Sequence, residues 1–534
     1  MRVPLRIFFA ACVAVVLVVV VALSGTRQST SRDLSTKPER SQAPAGYDAF
    51  EAASDATFAK AIADQVSALG NDPETGGRTA GSPAEREAAQ LLEQTMKDIG
   101  LQNVTVDEVS ADSWVFKGAS LSFIGADGET QHATLGGYQT DLVVNGRSFP
   151  VMDLGRGTAA DYKGKDVRDK LVLIDVDMEN DWWINYPAMQ AKQMGAKAVL
   201  AVGVMAAPGR DRLVSQDICG PADAPVLSIS EGDAARIREA LRANGRGKGK
   251  ARQINATLYA DSRVGEGDTT QNVWGEIPGN TDDVILFTAH YDGYYHAFFD
   301  DAIGVGLILD MAKSFVESGY VPEKTLRFIV HGAEEWGKAD SEADWAIGAW
   351  RQVSEARPDW PGKIFALVNL DSAYPLAPMQ SFSLSVPYEL RNFAGQAVSA
   401  FGDRSALRID ADGELPSPYR EDFSYNALGV PTFASEGGEG DEEYFASMYH
   451  SSMDTSEVGG FSEDAAKGIM RFFGFTTFLL DRTPVRPLTF SPRIEALQAT
   501  VDAAEEAGLR VDPHLSANIE RAGIAATAID GIVR

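Results

Sequence analysis

Three apolar runs limit what this chain can fold into. They are Val284-Ile285-Leu286-Phe287-Thr288-Ala289, Leu326-Arg327-Phe328-Ile329-Val330 and Ile364-Phe365-Ala366-Leu367-Val368. They are near-continuous rather than alternating, and a strand that is apolar on both faces must be covered on both faces. An apolar helix is expected between the first two, from Gly304 to Phe315. Strands that alternate with helices predict an α/β domain, with a mixed, mostly parallel sheet and helices on both faces. The chain of 534 residues is longer than such a domain needs. At very roughly 150 residues per domain it suggests three or so.

Upstream, Arg2 and Arg6 precede an apolar run from Ile7 to Leu23, and Ala22-Leu23-Ser24 resembles a cleavage site. The run is at the short limit for a membrane span and slightly long for a signal-peptide core. Residues 1–24 are expected to be a signal peptide or an N-terminal membrane anchor. Either sends the rest across a membrane, so the protein is expected to be exported (periplasmic, extracellular or anchored facing outside). The Ser/Thr/Arg/Pro-rich stretch that follows predicts a disordered tether over 25–46. The net charge of −28 argues against non-specific binding to nucleic acid, which calls for basic surface. Two cysteines, Cys12 and Cys219, exclude both a disulfide framework and a cysteine metal cluster.

Apolar spacing from Tyr47 to Leu69 predicts a helix stopped at Gly70. Ser82-Pro83-Ala84-Glu85 sets a capping serine, a proline at the first helical position and a glutamate three residues after the cap, so a second helix is expected to Ile99, with Gly100 as its stop. Val104 to Val109 alternates like a strand. Residues 115–262 differ in texture. Short apolar runs separated by Gly and Asp (Leu142–Val144, Leu171–Ile174, Ala198–Val202, Val226–Ile229) and one helix, Ala188 to Met194, predict a mostly β insert. It would split a catalytic domain into 47–114 and 263–485, with a helical tail over 486–534. No catalytic cluster shows in the insert, and its one histidine, His132, reads as a surface or structural residue.

Five segments end a strand or lie in a loop and carry metal-type ligands. They are Ala289-His290-Tyr291-Asp292, Phe299-Asp300-Asp301, Gly332-Ala333-Glu334-Glu335, Asn369-Leu370-Asp371 and Tyr449-His450. In α/β sheets, sites form beyond the carboxyl ends of strands, so His290, Glu334, Glu335 and Asp371 can converge although they lie far apart in the chain. Two imidazoles and three carboxylates without a thiolate suit zinc, with cobalt or manganese as substitutes. A metal pair about 3.5–4 Å apart needs one bridging ligand, which a carboxylate can be. Each metal then takes one histidine and one further carboxylate. A fourth carboxylate is left as general base toward a water.

These segments resemble the M28 family of zinc-dependent peptidases, which includes bacterial secreted aminopeptidases and glutamate carboxypeptidase. Gly275-Glu276-Ile277-Pro278-Gly279 and the His290-x-Asp292 segment are similar to the family's opening. Phe299-Asp300-Asp301-Ala302-Ile303-Gly304 is similar to its Asp-Asp-Asn-Ala-Ser-Gly. That register implies Asp300 as the bridging ligand, and a slip of one residue would make it Asp301. His331-Gly332-Ala333-Glu334-Glu335 implies Glu334 as general base and Glu335 as ligand. Asp371 matches the next ligand. Tyr449-His450-Ser451-Ser452-Met453-Asp454-Thr455 implies His450 as the last. Asp292 matches the carboxylate that orients the first histidine. Gly77-Arg78-Thr79-Ala80-Gly81-Ser82 resembles a loop near the family's N-terminus, and Leu428-Gly429-Val430-Pro431 its Gly-Ile-Pro stretch. The insert resembles a protease-associated (PA) domain, on Asp161-Tyr162-Lys163-Gly164 and Lys192 to Val199. Two departures concern specificity. An acidic, Trp-containing stretch begins at Lys338-Ala339-Asp340-Ser341, where the family usually has Leu-x-Gly-Ser. Ser385 stands at the nearest match to a carboxylate-binding arginine of glutamate carboxypeptidases.

The resemblance implies an exported exopeptidase with two zinc ions that removes N-terminal residues from peptides. Missing the cation at Ser385 favours an aminopeptidase, which must hold a free amine. Glu421, Asp422, Glu436 and Glu439 are candidates for that, although each also reads as part of a solvated acidic loop. A carboxypeptidase or dipeptidase of the same family, a receptor-like binding protein on the same scaffold and a one-metal glutaminyl cyclase are the alternatives. The full ligand set argues against the last two.

Overall fold

The computed structural model describes residues 42–69, 76–181, 183–216, 220–245, 253–341, 343–377, 379–414, 416–438 and 441–533. The expected signal peptide or anchor, residues 25–41 of the tether, Gly70 and both cysteines lie outside the described residues. Among those described, no helix is long and apolar enough to cross a membrane.

The strands, in chain order, are β1 (Gly77–Arg78), β2 (Gln102–Ile124), β3 (Thr130–Gly136), β4 (Leu142–Asp153), β5 (Leu171–Asp177), β6 (Ala198–Val204), β7 (Val226–Ile229) and β8 (Ile254–Ile277). They continue with β9 (Val284–His290), β10 (Gly293–Tyr294), β11 (Thr325–His331), β12 (Ile364–Asn369), β13 (Ser381–Pro387), β14 (Arg408–Glu414) and β15 (Thr432–Gly438). The three opening apolar runs are β9, β11 and β12. β9 lies between the other two and is parallel to both. Their side chains alternate between two cores. Ile285, Phe287 and Ala289 join one with Leu326, Phe328 and Val330, while Val284, Leu286 and Ile329 join another with Trp274, Trp360 and Tyr425. Burial on both faces is why these runs are apolar throughout. The sheet continues as β14-β13-β15-β12-β9-β11-β8-β2-β3-β7-β6-β5-β4, and β4 also pairs with β8, which closes its last strands into a ring. The fold is the expected mixed α/β sheet flanked by helices.

The helix expected at Gly304–Phe315 spans Ile303–Glu317 and is buried almost all round. It crosses helix Ala56–Ser67 so closely that a Cβ on Gly306 would lie 2.2 Å from the carbonyl oxygen of Ala59. Helix Pro83–Ile99 starts as its sequence predicts. Ser82 Oγ accepts the Glu85 N–H, and Gly100 ends the helix in the left-handed region (φ 96). The single helix expected from Tyr47 to Leu69 is instead two, Tyr47–Ala53 and Ala56–Ser67. Asp55 separates them because its side chain caps the Thr57 N–H, while its own N–H goes to Asp310.

The four short runs of the insert lie in β4, β5, β6 and β7, and its helix is Asn185–Gln193. β2 and β8 are single long strands that pair with each other along much of their length, so positions 115 and 262 fall inside unbroken strands. His132 is exposed. The tail forms helices Ser491–Glu506 and Pro513–Val533.

Candidate metal centre

Parallel register brings the strand ends level. His331 lies opposite His290, and Asn369 opposite Thr288. The chain after each strand therefore emerges at one place. It delivers His290 at the end of β9, Glu334 and Glu335 just past β11, and Asp371 just past β12. Asp300 comes from the tight turn Phe298–Ala302 that leads into helix Ile303–Glu317. His450 follows helix Asp441–Ser447, with its backbone in the left-handed region (φ 51). All of these side chains are buried.

Asp300 stands between the two imidazoles. Its Oδ1 is 3.3 Å from His290 Nε2 and its Oδ2 is 3.3 Å from His450 Nε2. Glu335 Oε2 is 3.0 Å from His450 Nε2, and Glu334 Oε2 is 3.9 Å from His290 Nε2. Asp301 faces elsewhere, accepting the N–H of Gly304 (3.1 Å) and of His290 (3.2 Å). Asp292 lies 3.5 Å from His290 Nδ1 and accepts the N–H groups of Glu334 (3.0 Å) and Glu335 (3.1 Å), so one carboxylate aligns the histidine and both glutamates. Ligand atoms of His290, Asp300 and Glu335 lie within 4.8 Å of one another, and so do those of Glu334, Asp371 and Glu421.

So many buried carboxylates are unfavourable without a cation. Burial, more than any neighbouring charge, pushes Glu335 up to about 7 and Asp371 up to about 6, and drives Glu334 and Glu421 well above the usual carboxylate range. Burial also works on Asp300, but hydrogen bonds from His290 and His450 outweigh it and hold that group low. Burial disfavours a protonated His450, yet Glu335 and Asp300 push it up to about 9. Glu334 Oε1 and both carboxylate oxygens of Glu421 are buried without a hydrogen bond. An unpaired buried carboxylate costs several kcal/mol. A divalent cation relieves that, and a set of imidazoles and carboxylates without a thiolate fits zinc.

The cluster floors a cavity of about 230 Å3, walled by Trp345, Tyr374, Tyr419, Arg420, Glu436 and Tyr449. Trp345, from the divergent stretch after Glu335, donates its indole N–H to Glu334 Oε2 at 2.9 Å. Ser385 carries no cation of its own, but a cation from elsewhere in the chain reaches it. Arg420 lines the cavity and donates to Ser385 Oγ at 3.3 Å, to Asp422 Oδ1 at 3.2 Å and to Glu436. Its charge is thus already balanced by two carboxylates. Glu421 and Asp422 are not parts of a solvated loop, because both are fully buried. Glu436 lines the cavity, and Glu439 lies outside the described residues. Trp345 lies in the Trp-containing stretch read as bearing on specificity, whereas Arg420 and Gln216, whose Oε1 meets His450 Nδ1, escaped the sequence reading. None carries a ligand signature, and only the burial of a cation beside two acids distinguishes Arg420.

Residues 272–469 match the model of peptidase family M28. Aminopeptidase YwaD from Bacillus subtilis (strain 168) is 28% identical over 270 residues, which is 49% of this chain; the match spans about half (52%) of that relative's length. A peptidase M28 precursor from Shewanella amazonensis SB2B superposes with a TM-score of 0.63 at 17% identity, covering 83% of this chain and 97% of that one. BSAP, a zinc aminopeptidase from Bacillus subtilis, superposes with a TM-score of 0.57 at 20% identity, covering 81% and 97%. At these identities the superpositions establish the fold. With the sequence match laid over β9, β11, β12 and the segment bearing His450, the chain carries a domain of peptidase family M28.

Proposed function

We propose that this protein is an exported zinc aminopeptidase with two metal ions. The observation that carries the reading is Asp300, which offers one oxygen toward each histidine in a pocket of otherwise uncompensated carboxylates. His290, Asp300 and Asp371 would hold one zinc, and His450, Asp300 and Glu335 the other. This geometry favours Asp300 over Asp301 as the shared ligand, since both Asp301 oxygens are occupied by backbone N–H groups. Zinc held there supplies Lewis acidity, which acidifies water and polarises a carbonyl.

Glu334 is the general base. It reaches the cavity and is not needed for the ligand count. Its open carboxylate oxygen, Oε1, is free to take a proton from the attacking water and pass it to the leaving amine. Trp345 fixes its carboxylate by one hydrogen bond and leaves Oε1 open. Asp292 orients His290 from behind. With Arg420 already paired to Asp422 and Glu436, and Glu421 beside Glu334 and Asp371, the cleft suits a free ammonium group better than a C-terminal carboxylate. The similarity to a curated aminopeptidase points the same way. Export rests on residues 1–24, and the PA-like character of 115–262 on its sequence pieces.

A panel of aminoacyl- and carboxyl-terminal chromogenic substrates, with and without chelator, tests the activity. Glu334→Gln is expected to keep its zinc and lose at least about 100-fold in kcat. Wild-type-like turnover in that variant would sink the assignment, and fewer than two zinc ions per active chain would overturn the metal count.

A further inference from the structure

We infer that Gln216, a residue of the insert, is a positioning residue for the metal ligand His450. The inference rests on the zinc reading above. Gln216 is fully buried, and its amide oxygen meets His450 Nδ1. An amide oxygen only accepts, so Nδ1 carries a hydrogen, and Nε2 is the nitrogen left to ligate a metal. Nε2 faces Asp300 (3.3 Å) and Glu335 (3.0 Å), where the metal would sit. The partner behind a ligating histidine sets its tautomer and ring plane.

The contact is the end of a longer latch. Ser215 N–H donates to the His450 carbonyl at 2.9 Å, and Val214 forms an antiparallel bridge with Ser451. Leu213 N–H donates to Ser452 Oγ at 3.0 Å, and Ser452 N–H returns to the Leu213 carbonyl at 2.9 Å. Ala207 N–H donates to the Ala446 carbonyl at 2.9 Å. The insert segment 207–216 thus lies alongside 446–452, the segment that presents His450, and grips both its backbone and its ring. The insert completes the metal centre from outside the M28 match, which begins at residue 272.

The test uses the full chain as Gln216→Met, Gln216→Asn and Gln216→Glu. Zinc affinity is titrated against a chromophoric chelator, and cobalt(II) spectra are recorded in place of zinc. Methionine fills the volume without an acceptor, and asparagine withdraws the acceptor by one methylene. Both are expected to weaken one of the two zinc sites by about 10- to 100-fold and to shift the cobalt bands of that site alone. Glutamate keeps an acceptor at the same reach and is expected to restore affinity and spectrum. Where Gln216→Met does not fold, Gln216→Asn gives the same reading. Unchanged affinity in the folded variants, or a Gln216→Glu as weak as Gln216→Met, overturns the inference and leaves the zinc reading standing. A wild-type chain that takes up no zinc overturns both.

Discussion

The two histidines of the centre are held in opposite ways. His290 is the last residue of a central strand, and its supports are local: Asp292 lies behind the ring and Asp301 accepts its N–H. His450 sits in a loop with left-handed backbone, and its carbonyl and ring are both held by the insert, at Ser215 and Gln216. A ligand at a strand end is placed by sheet register, which many hydrogen bonds share. A ligand on a loop is placed by whatever that loop packs against. Damage to the insert should therefore reach the His450 side of the centre and spare the His290 side.

Asp300 joins the two halves, so its loss is the largest expected effect. Asp300→Asn is expected to lower bound zinc below two ions per chain and to abolish peptidase activity, whereas Asp301→Asn keeps the ions but lowers Tm by several degrees. An amide has one acceptor oxygen where Asp301 uses two. Two tightly held ions in Asp300→Asn, measured by elemental analysis, would show that the halves are independent.

Next comes the latch itself. Arg212, buried in the insert, donates to the Ser447 carbonyl and to the Ala207 carbonyl, both at 2.9 Å. Arg212→Ala leaves those carbonyls short of a donor and is expected to cost about 1–3 kcal/mol in chemical denaturation. It should also speed chelator-driven release of one zinc, with the second leaving at the wild-type rate. Equal acceleration of both would break the comparison.

The smallest effect lies under the strand side. Asp310 is buried in helix Ile303–Glu317, accepts the Asp55 N–H at 2.9 Å, and is pushed up to about 7 by burial. Its folded value lies above its unfolded one, so the folded state holds the proton more tightly. The contribution to stability is full below about pH 4 and falls as pH rises toward about 7. Asp310→Asn is expected to flatten the Tm-against-pH curve over that window by a few degrees, with zinc content unchanged. A curve as steep as the wild type would assign the slope to other groups.

The sheet and the convergence of His290, Glu334, Glu335 and Asp371 were legible in the sequence because they obey local rules. Continuous apolar runs bounded by turns mark buried parallel strands, and ligands just past them converge without further information. The Ser82 cap and the Gly100 stop were legible for the same reason. The break at Asp55 was missed because a helical spacing of apolar residues continues across it, while its cap and its bond to Asp310 depend on a distant helix. Arg420 was missed because a lone arginine in an acidic loop looks solvated, and only packing against Ser385 and Asp422 turns it into part of the cleft.

By itself, the sequence determined the α/β class, the strand-end position of His290, Glu334, Glu335 and Asp371, and a ligand chemistry of imidazole and carboxylate. Periodicity and residue type carry that information, and both are local. Tertiary structure decided which aspartate of the Asp300-Asp301 pair faces both histidines, how Arg420 is neutralised, and that the insert grips His450. Those outcomes depend on distances between residues far apart in the chain, and such distances exist only once the sheet and the ring of strands beside it have closed.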